Sequence, residues 1–162
     1  MIKIGFALIT APPMFNKIVD IENNLHDTVN FHNKLGLTNN IPHTTLFQGT
    51  FKDDTNYIEI ANNIAKFYKK NCIDHYLHFT SVVYIPRGWY FYTCELTDEL
   101  HSLHNVVLAN SQEYIILEPD RLQQDSSELT QCQLHAITNY GYKYAADAFF
   151  PHITLGRTDK DM

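Results

Sequence analysis

Lys3 to Ile9 is a short, mostly apolar run that stops at Ala11-Pro12-Pro13, a breaker that ends a strand and can open a helix. From Met14 to about Phe31, Phe15, Ile18, Leu25 and Val29 recur at helical spacing, with Asn23-Asn24 weakening the middle. Gly36 and Asn39-Asn40-Ile41-Pro42 form a turn, and His43 to Phe51 reads as a strand rich in Thr and aromatics. Thr55 can cap a helix in which Ile58, Ala61, Ile64, Ala65 and Tyr68 give the best helical period of the chain. Tyr76 to Ile85 and Trp89 to Leu96 are strand-like runs around Pro86-Arg87-Gly88, which predicts an antiparallel hairpin. Thr97-Asp98-Glu99 opens a helix with Leu100, Leu103, Val107 and Leu108 along one side, and a further helix is predicted from Ser127 to Asn139, stopped at Gly141. Tyr114 to Arg121 carries no clear period. Phe149 to Arg157 reads as a final strand.

This mixture of strands and helices predicts an α+β fold. No Gly/Ser linker, charge block or close tandem repeat divides it, so residues 1–162 are read as one domain. A composition of 44% hydrophobic and 19% charged residues excludes a disordered or low-complexity chain. With 12 basic and 18 acidic residues the net charge is −6, which disfavours a long nucleic acid duplex as partner and leaves room for a small anionic ligand. Cys72, Cys94 and Cys132 are odd in number and lack paired spacing, which argues against a disulfide framework and a structural zinc site and for a reducing, cytoplasmic compartment. The apolar stretch Ile4 to Ala11 is too short to span a bilayer, so no membrane association is expected.

One distant echo changes the picture. Pro42-His43-Thr44-Thr45-Leu46 and Pro151-His152-Ile153-Thr154-Leu155 repeat the pattern Pro-His-x-Thr-Leu with the histidines 109 residues apart. At this composition chance supplies the pattern roughly 0.003 times per chain. In a strand, residues i and i+2 share a face, so His43 points with Thr45 and His152 with Thr154, while Leu46, Ile153 and Leu155 point the other way as anchors. A single His-x-Thr of this kind reads as a hydrogen-bonded histidine on a half-buried strand; its duplication favours chemistry. Two imidazoles can coexist near neutral pH as one base and one acid, which suits displacement at phosphorus. Thr45 and Thr154 are then donors to the non-bridging oxygens.

The two His-x-Thr-hydrophobic motifs resemble those of the two-histidine (2H) phosphoesterase superfamily, which includes bacterial 2′-5′ RNA ligase-like proteins and cyclic nucleotide phosphodiesterases. The resemblance implies a bilobal, pseudo-two-fold fold with two antiparallel sheets flanking a central cleft and helices outside. It also implies metal-independent phosphodiesterase chemistry on 2′,3′-cyclic phosphates, 2′-5′ linkages or cyclic nucleotides, with no cofactor. His43, Thr45, His152 and Thr154 match the functional positions. Relatives usually continue beyond the second motif with strands that complete the second lobe. Here Tyr114 to Phe150 supplies that structure in another order, or the lobe is reduced.

Substrate contacts are less marked in the sequence. Phe47 shares the face of His43 and Thr45 by parity and is the candidate cleft wall. Tyr142 and Tyr144, with Tyr140, precede the second motif and could stack on a base or simply pack; Arg157 and Lys143 could draw in a phosphate or stay solvated. Of Trp89/Phe91 and Tyr90/Tyr92, one set must be core. His101 with His104, and His75 with His78, are spaced as metal ligands on a helix, but neither pair has a third ligand, so no metal is expected. The expected function is a phosphodiesterase acting on a small nucleotide or RNA end, the alternative a nucleotide-binding module with the same cleft and little turnover. Oligomeric state, the linkage cleaved and the order of acid and base stay open.

Overall fold

The computed structural model describes residues 1–73, 76–118 and 129–159. Its elements run β1 (Ile2–Ile9), α1 (Pro12–His26), β2 (His43–Phe51), α2 (Tyr57–Asn71), β3 (Phe79–Ile85), β4 (Trp89–Cys94), α3 (Asp98–Ser111), β5 (Ile115–Ile116), α4 (Gln131–Tyr140) and β6 (His152–Arg157). The strands follow the hydrogen-bonded order β1-β2-β6-β4-β3, with β5 also beside β2. The β2–β6, β6–β4, β4–β3 and β2–β5 pairings are antiparallel. The α+β class is as expected. The ladders form one six-stranded sheet in place of the two expected, because nine-residue β2 pairs with β6 at Thr44 and with β5 at Thr50 and Phe51. Among the described residues no helix is long and apolar enough to cross a membrane.

The chain forms two compact units: Met1–Phe6 with Leu46–Tyr76 and Leu96–Phe150, and Ala7–Thr45 with Leu77–Glu95 and Pro151–Met162. In the first, α3 buries Leu100, Leu103, His104, Val107 and Leu108. Thr97 caps it as the sequence predicts, accepting from the Leu100 amide at 3.2 Å. Helix α2 is capped by Asn56, whose side chain accepts from the Glu59 amide. Thr55, the expected cap, instead donates to the Lys52 carbonyl at 2.6 Å within the preceding turn. Helix α4 opens on a Thr130–Gln133 capping box and closes on Gly141 at φ 68°, where glycine tolerates the left-handed region. The predicted start at Ser127 lies outside the described residues, and the helix begins at Gln131.

The second unit packs α1 on one face of β6 and β4. Its core joins Ile18 and Phe31 to Tyr90, Tyr92, Ile153 and Leu155, with Met14, Ile21 and Leu25 at the margin. Each fully buried aliphatic side chain contributes about 1.5–3 kcal/mol by leaving water. Helix α1 ends at His26, short of the expected Phe31: the Thr28 and Val29 amides both turn back onto the Leu25 carbonyl. Phe31 is thereby delivered to the core as a loop residue, so close to Gly156 that a Cβ there would stand 2.5 Å from its ring. The predicted hairpin is present, with Arg87 at φ 74° and Gly88 at φ 83° between Ile85 and Trp89. The Gly88 carbonyl accepts from the Thr158 amide at 2.9 Å, which fastens the end of β6 to this turn.

Glu22 lies one helical turn after Ile18 on the buried side of α1 and has no exposed surface. Burial pushes its carboxyl above the usual range, and the charges of His26 and Lys34 with the backbone at Leu35 offset only part of this. A raised carboxyl favours the folded state while protonated and costs stability as pH rises. Glu22→Gln is therefore expected to stabilise the protein at pH 7 by on the order of 1 kcal/mol. The gain should disappear at acid pH, where both states hold the proton. Urea unfolding at pH 7 and pH 4 checks this, and equal midpoints at pH 7 would refute it.

Candidate active site

The β2–β6 ladder assembles both motifs. Thr44 lies opposite Ile153 in an antiparallel register, which sets His43 opposite Thr154 and Thr45 opposite His152. Paired residues share a face of the sheet, so all four side chains form one two-by-two block, each threonine beside the other strand's histidine. Thr44, Ile153 and Leu155, on the alternate face, are buried. The block thus lies on the side of the sheet away from the α1 core, and all four residues belong to the second unit.

The two imidazoles are held differently. His43 is exposed, and its Nδ1 lies 2.7 Å from the Ile41 carbonyl. A carbonyl can only accept, so Nδ1 carries the hydrogen and Nε2 is left to exchange protons with a substrate. His152 is buried and stacks on Phe91, ring centroids 3.8 Å apart and 20° from parallel. Thr93 lies opposite His152 across the β4–β6 ladder, and its hydroxyl is 2.9 Å from that of Thr80 and 3.1 Å from that of Ser81. The sequence signal of this hydroxyl cluster is slight: one Thr that ends the aromatic run Trp89 to Tyr92.

The substrate-contact candidates separate. Arg157 is exposed in the second unit, its guanidinium 5.2 Å from the centre of the Trp89 ring and its Nε donating to the Arg87 carbonyl at 3.2 Å. Trp89 and Phe91 belong to the motif face, and Tyr90 and Tyr92 to the core. Phe47, Tyr142 and Tyr144 belong to the first unit. Phe47 is fully buried, edge-on to Phe51 and Tyr142, so it offers no open ring face as a cleft wall. Parity gave its side of the strand, while burial there is set by the neighbours packed over it. Tyr144 is likewise buried, and Lys143 sits over its ring at 4.8 Å. Tyr142 is half-buried against Phe47 and Tyr144, and desolvation pushes its phenol far up.

His104 is bound on both sides in the first unit. Its Nδ1 is 2.6 Å from the Leu46 carbonyl, its Nε2 accepts from the Ala146 amide at 2.9 Å, and its ring stacks on Phe149 at 4.0 Å. Both ring nitrogens are engaged, so the helical spacing with His101 does not create a ligand pair. Among the described residues no group of three or more His, Cys, Asp and Glu converges as metal ligands; His75 lies outside the described residues. In comparisons with protein-family models, curated proteins and solved structures, the chain matches none.

Burial pushes the His104 imidazole down to about 4. A depressed histidine stabilises the fold above its unfolded value near 6.5, and that stability is lost as pH falls toward 4. Unfolding free energy is expected to fall by up to ~1.4 kcal/mol per pH unit across this window from His104 alone. His104→Gln should cost ~1–3 kcal/mol at pH 7 and flatten the slope. Urea titrations at pH 7, 5.5 and 4.5 measure both, and an unaltered slope in the variant would assign the acid sensitivity elsewhere.

Proposed function

We propose that the protein is a metal-independent phosphodiesterase of the 2H type that acts on a small nucleotide or RNA end. The observation that carries this reading is the β2–β6 register, in which both His-x-Thr pairs share one face, from exposed His43 through half-buried Thr45 and Thr154 to buried His152. A phosphorus seated over the block has a threonine hydroxyl on either side to hold its non-bridging oxygens. One histidine takes the proton from the attacking water, or from an attacking ribose hydroxyl, as the new P–O bond forms. The other gives a proton to the oxygen whose bond to phosphorus breaks, and exchange with solvent then restores both.

Depth in the site favours one order. His152 is the deeper group and His43 the open one, so His152 activates the nucleophile and His43 protonates the leaving oxygen, whose nucleoside departs on the open side. In this reading the chain is a bilobal, pseudo-two-fold member of the superfamily with the motif strands at its centre. Its three unbridged cysteines fit work in the cytoplasm.

A panel of 2′,3′-cyclic mononucleotides, 2′-5′ and 3′-5′ dinucleotides and cyclic dinucleotides tests the reading. Turnover is expected in excess EDTA with a bell-shaped pH profile. His43→Ala or His152→Ala should lose at least about 10²-fold in kcat/KM, and Thr45→Val or Thr154→Val about 10- to 10²-fold. Full activity in either histidine variant removes the mechanism. Tight ligand binding by calorimetry without product by phosphorus NMR would select a binding module instead.

A further inference from the structure

Strand alternation alone would turn Arg157 toward the core with Ile153 and Leu155. The structure places it otherwise, through a β-bulge. In the β4–β6 ladder Phe91 pairs with Thr154 but its neighbour Tyr90 pairs with Gly156, so Leu155 is an extra residue with no partner of its own. Leu155 and Gly156 both face the core, Leu155 within it and Gly156 against Phe31. The alternation is thereby reset, and Arg157, paired with Trp89, emerges on the face of His152 and Thr154.

Ring contacts trace that face without a break. His152 stacks on Phe91, Phe91 lies 6.3 Å from Trp89, and Trp89 supports the Arg157 guanidinium. Exposure rises in the same direction, from buried His152 through half-buried Thr154 to exposed Arg157. The guanidinium is held by the indole and by the Arg87 carbonyl at its Nε, while the Arg157 carbonyl accepts from the His32 amide. Its two Nη groups form a fork pre-set for bidentate contact with a phosphate. Among the described residues no carboxylate pairs with it. Along β6, Thr154 and Arg157 stand roughly 7–10 Å apart, an interval one nucleoside can bridge.

Resting on the phosphodiesterase reading above, we infer that Arg157, positioned by Trp89, binds a second phosphate one nucleoside beyond the reacting one, on the leaving-group side. The substrate class is then an oligonucleotide or cyclic oligonucleotide with successive phosphates, in preference to a cyclic mononucleotide. Arg157 is a binding residue for the distal phosphate, and Trp89 positions it.

Trp89 is the single tryptophan of the sequence, so its fluorescence reports this subsite without any turnover. The probes are adenosine 3′,5′-bisphosphate and, for comparison, adenosine 5′- and 3′-monophosphate, with calorimetry beside fluorescence. The bisphosphate is expected to perturb Trp89 emission and to bind at least about tenfold tighter than either monophosphate. Arg157→Gln should abolish that preference while changing monophosphate affinity less than about twofold, and Arg157→Lys should restore it in part. His43→Ala should retain the preference. An absent preference, or one that survives in Arg157→Gln with unaltered circular dichroism, overturns the inference. Loss of the catalytic reading would appear separately, as turnover of the dinucleotide panel that persists in the histidine variants.

Discussion

The pairing of Thr44 with Ile153 governs the rest of the molecule's chemistry. A strand has two faces, and a slip of one residue exchanges them. The slip is opposed here because Ile153 and Leu155 are buried against α1 together with Tyr90 and Tyr92. Moving β6 by one position would carry Ile153 and Leu155 out of the core and His152 and Thr154 into it. At about 1.5–3 kcal/mol for each apolar side chain expelled, with a further cost for each polar group buried unpaired, the alternative register cannot compete. The apolar residues interleaved with the motifs therefore fix where the histidines point.

Within the first unit, one buried histidine ties together two stretches of chain that are far apart in sequence. His104 binds the Leu46 carbonyl, one residue after Thr45, and the Ala146 amide, five residues before Pro151. Its ring also stacks on Phe149. A neutral imidazole suits this place, because it offers one donor and one acceptor to two backbone groups that would otherwise be buried without partners. The histidines of this chain thus divide by what their nitrogens meet. His104 has both engaged, while His43 meets the Ile41 carbonyl through Nδ1.

Much of this was legible in the sequence because it depends on local rules. The duplicated Pro-His-x-Thr-Leu, the side on which each residue of those two motifs lies, the hairpin at Pro86-Arg87-Gly88 and the Thr97 cap all follow from alternation, turn chemistry and capping over a few residues. What was not legible depends on residues distant in the chain. Thr55 and Asn56 are both competent caps, and the choice is made by the Lys52 carbonyl that captures Thr55. Phe47 lies on the expected side of its strand but is covered by Phe51 and Tyr142, which parity cannot report. The side on which Arg157 emerges depends on a bulge, and its only local sign is Gly156 within a strand.

That bulge also bears on how an acidic chain can hold an anion. The net charge of −6 is spread over the whole sequence, and salt screens exposed charges beyond about 8–10 Å. A ligand with one or two phosphates at the motif face meets chiefly the groups nearest to it: two imidazoles, two hydroxyls and a guanidinium with no carboxylate paired to it among the described residues. A long duplex must instead lay many phosphates along the surface, and there the excess of acidic side chains repels them. In the proposed reading, preference for short anionic substrates needs no wall around the site. It follows from confining the anion-binding groups to a strip that begins at His43 and His152 and ends, by way of the reset alternation, at Arg157.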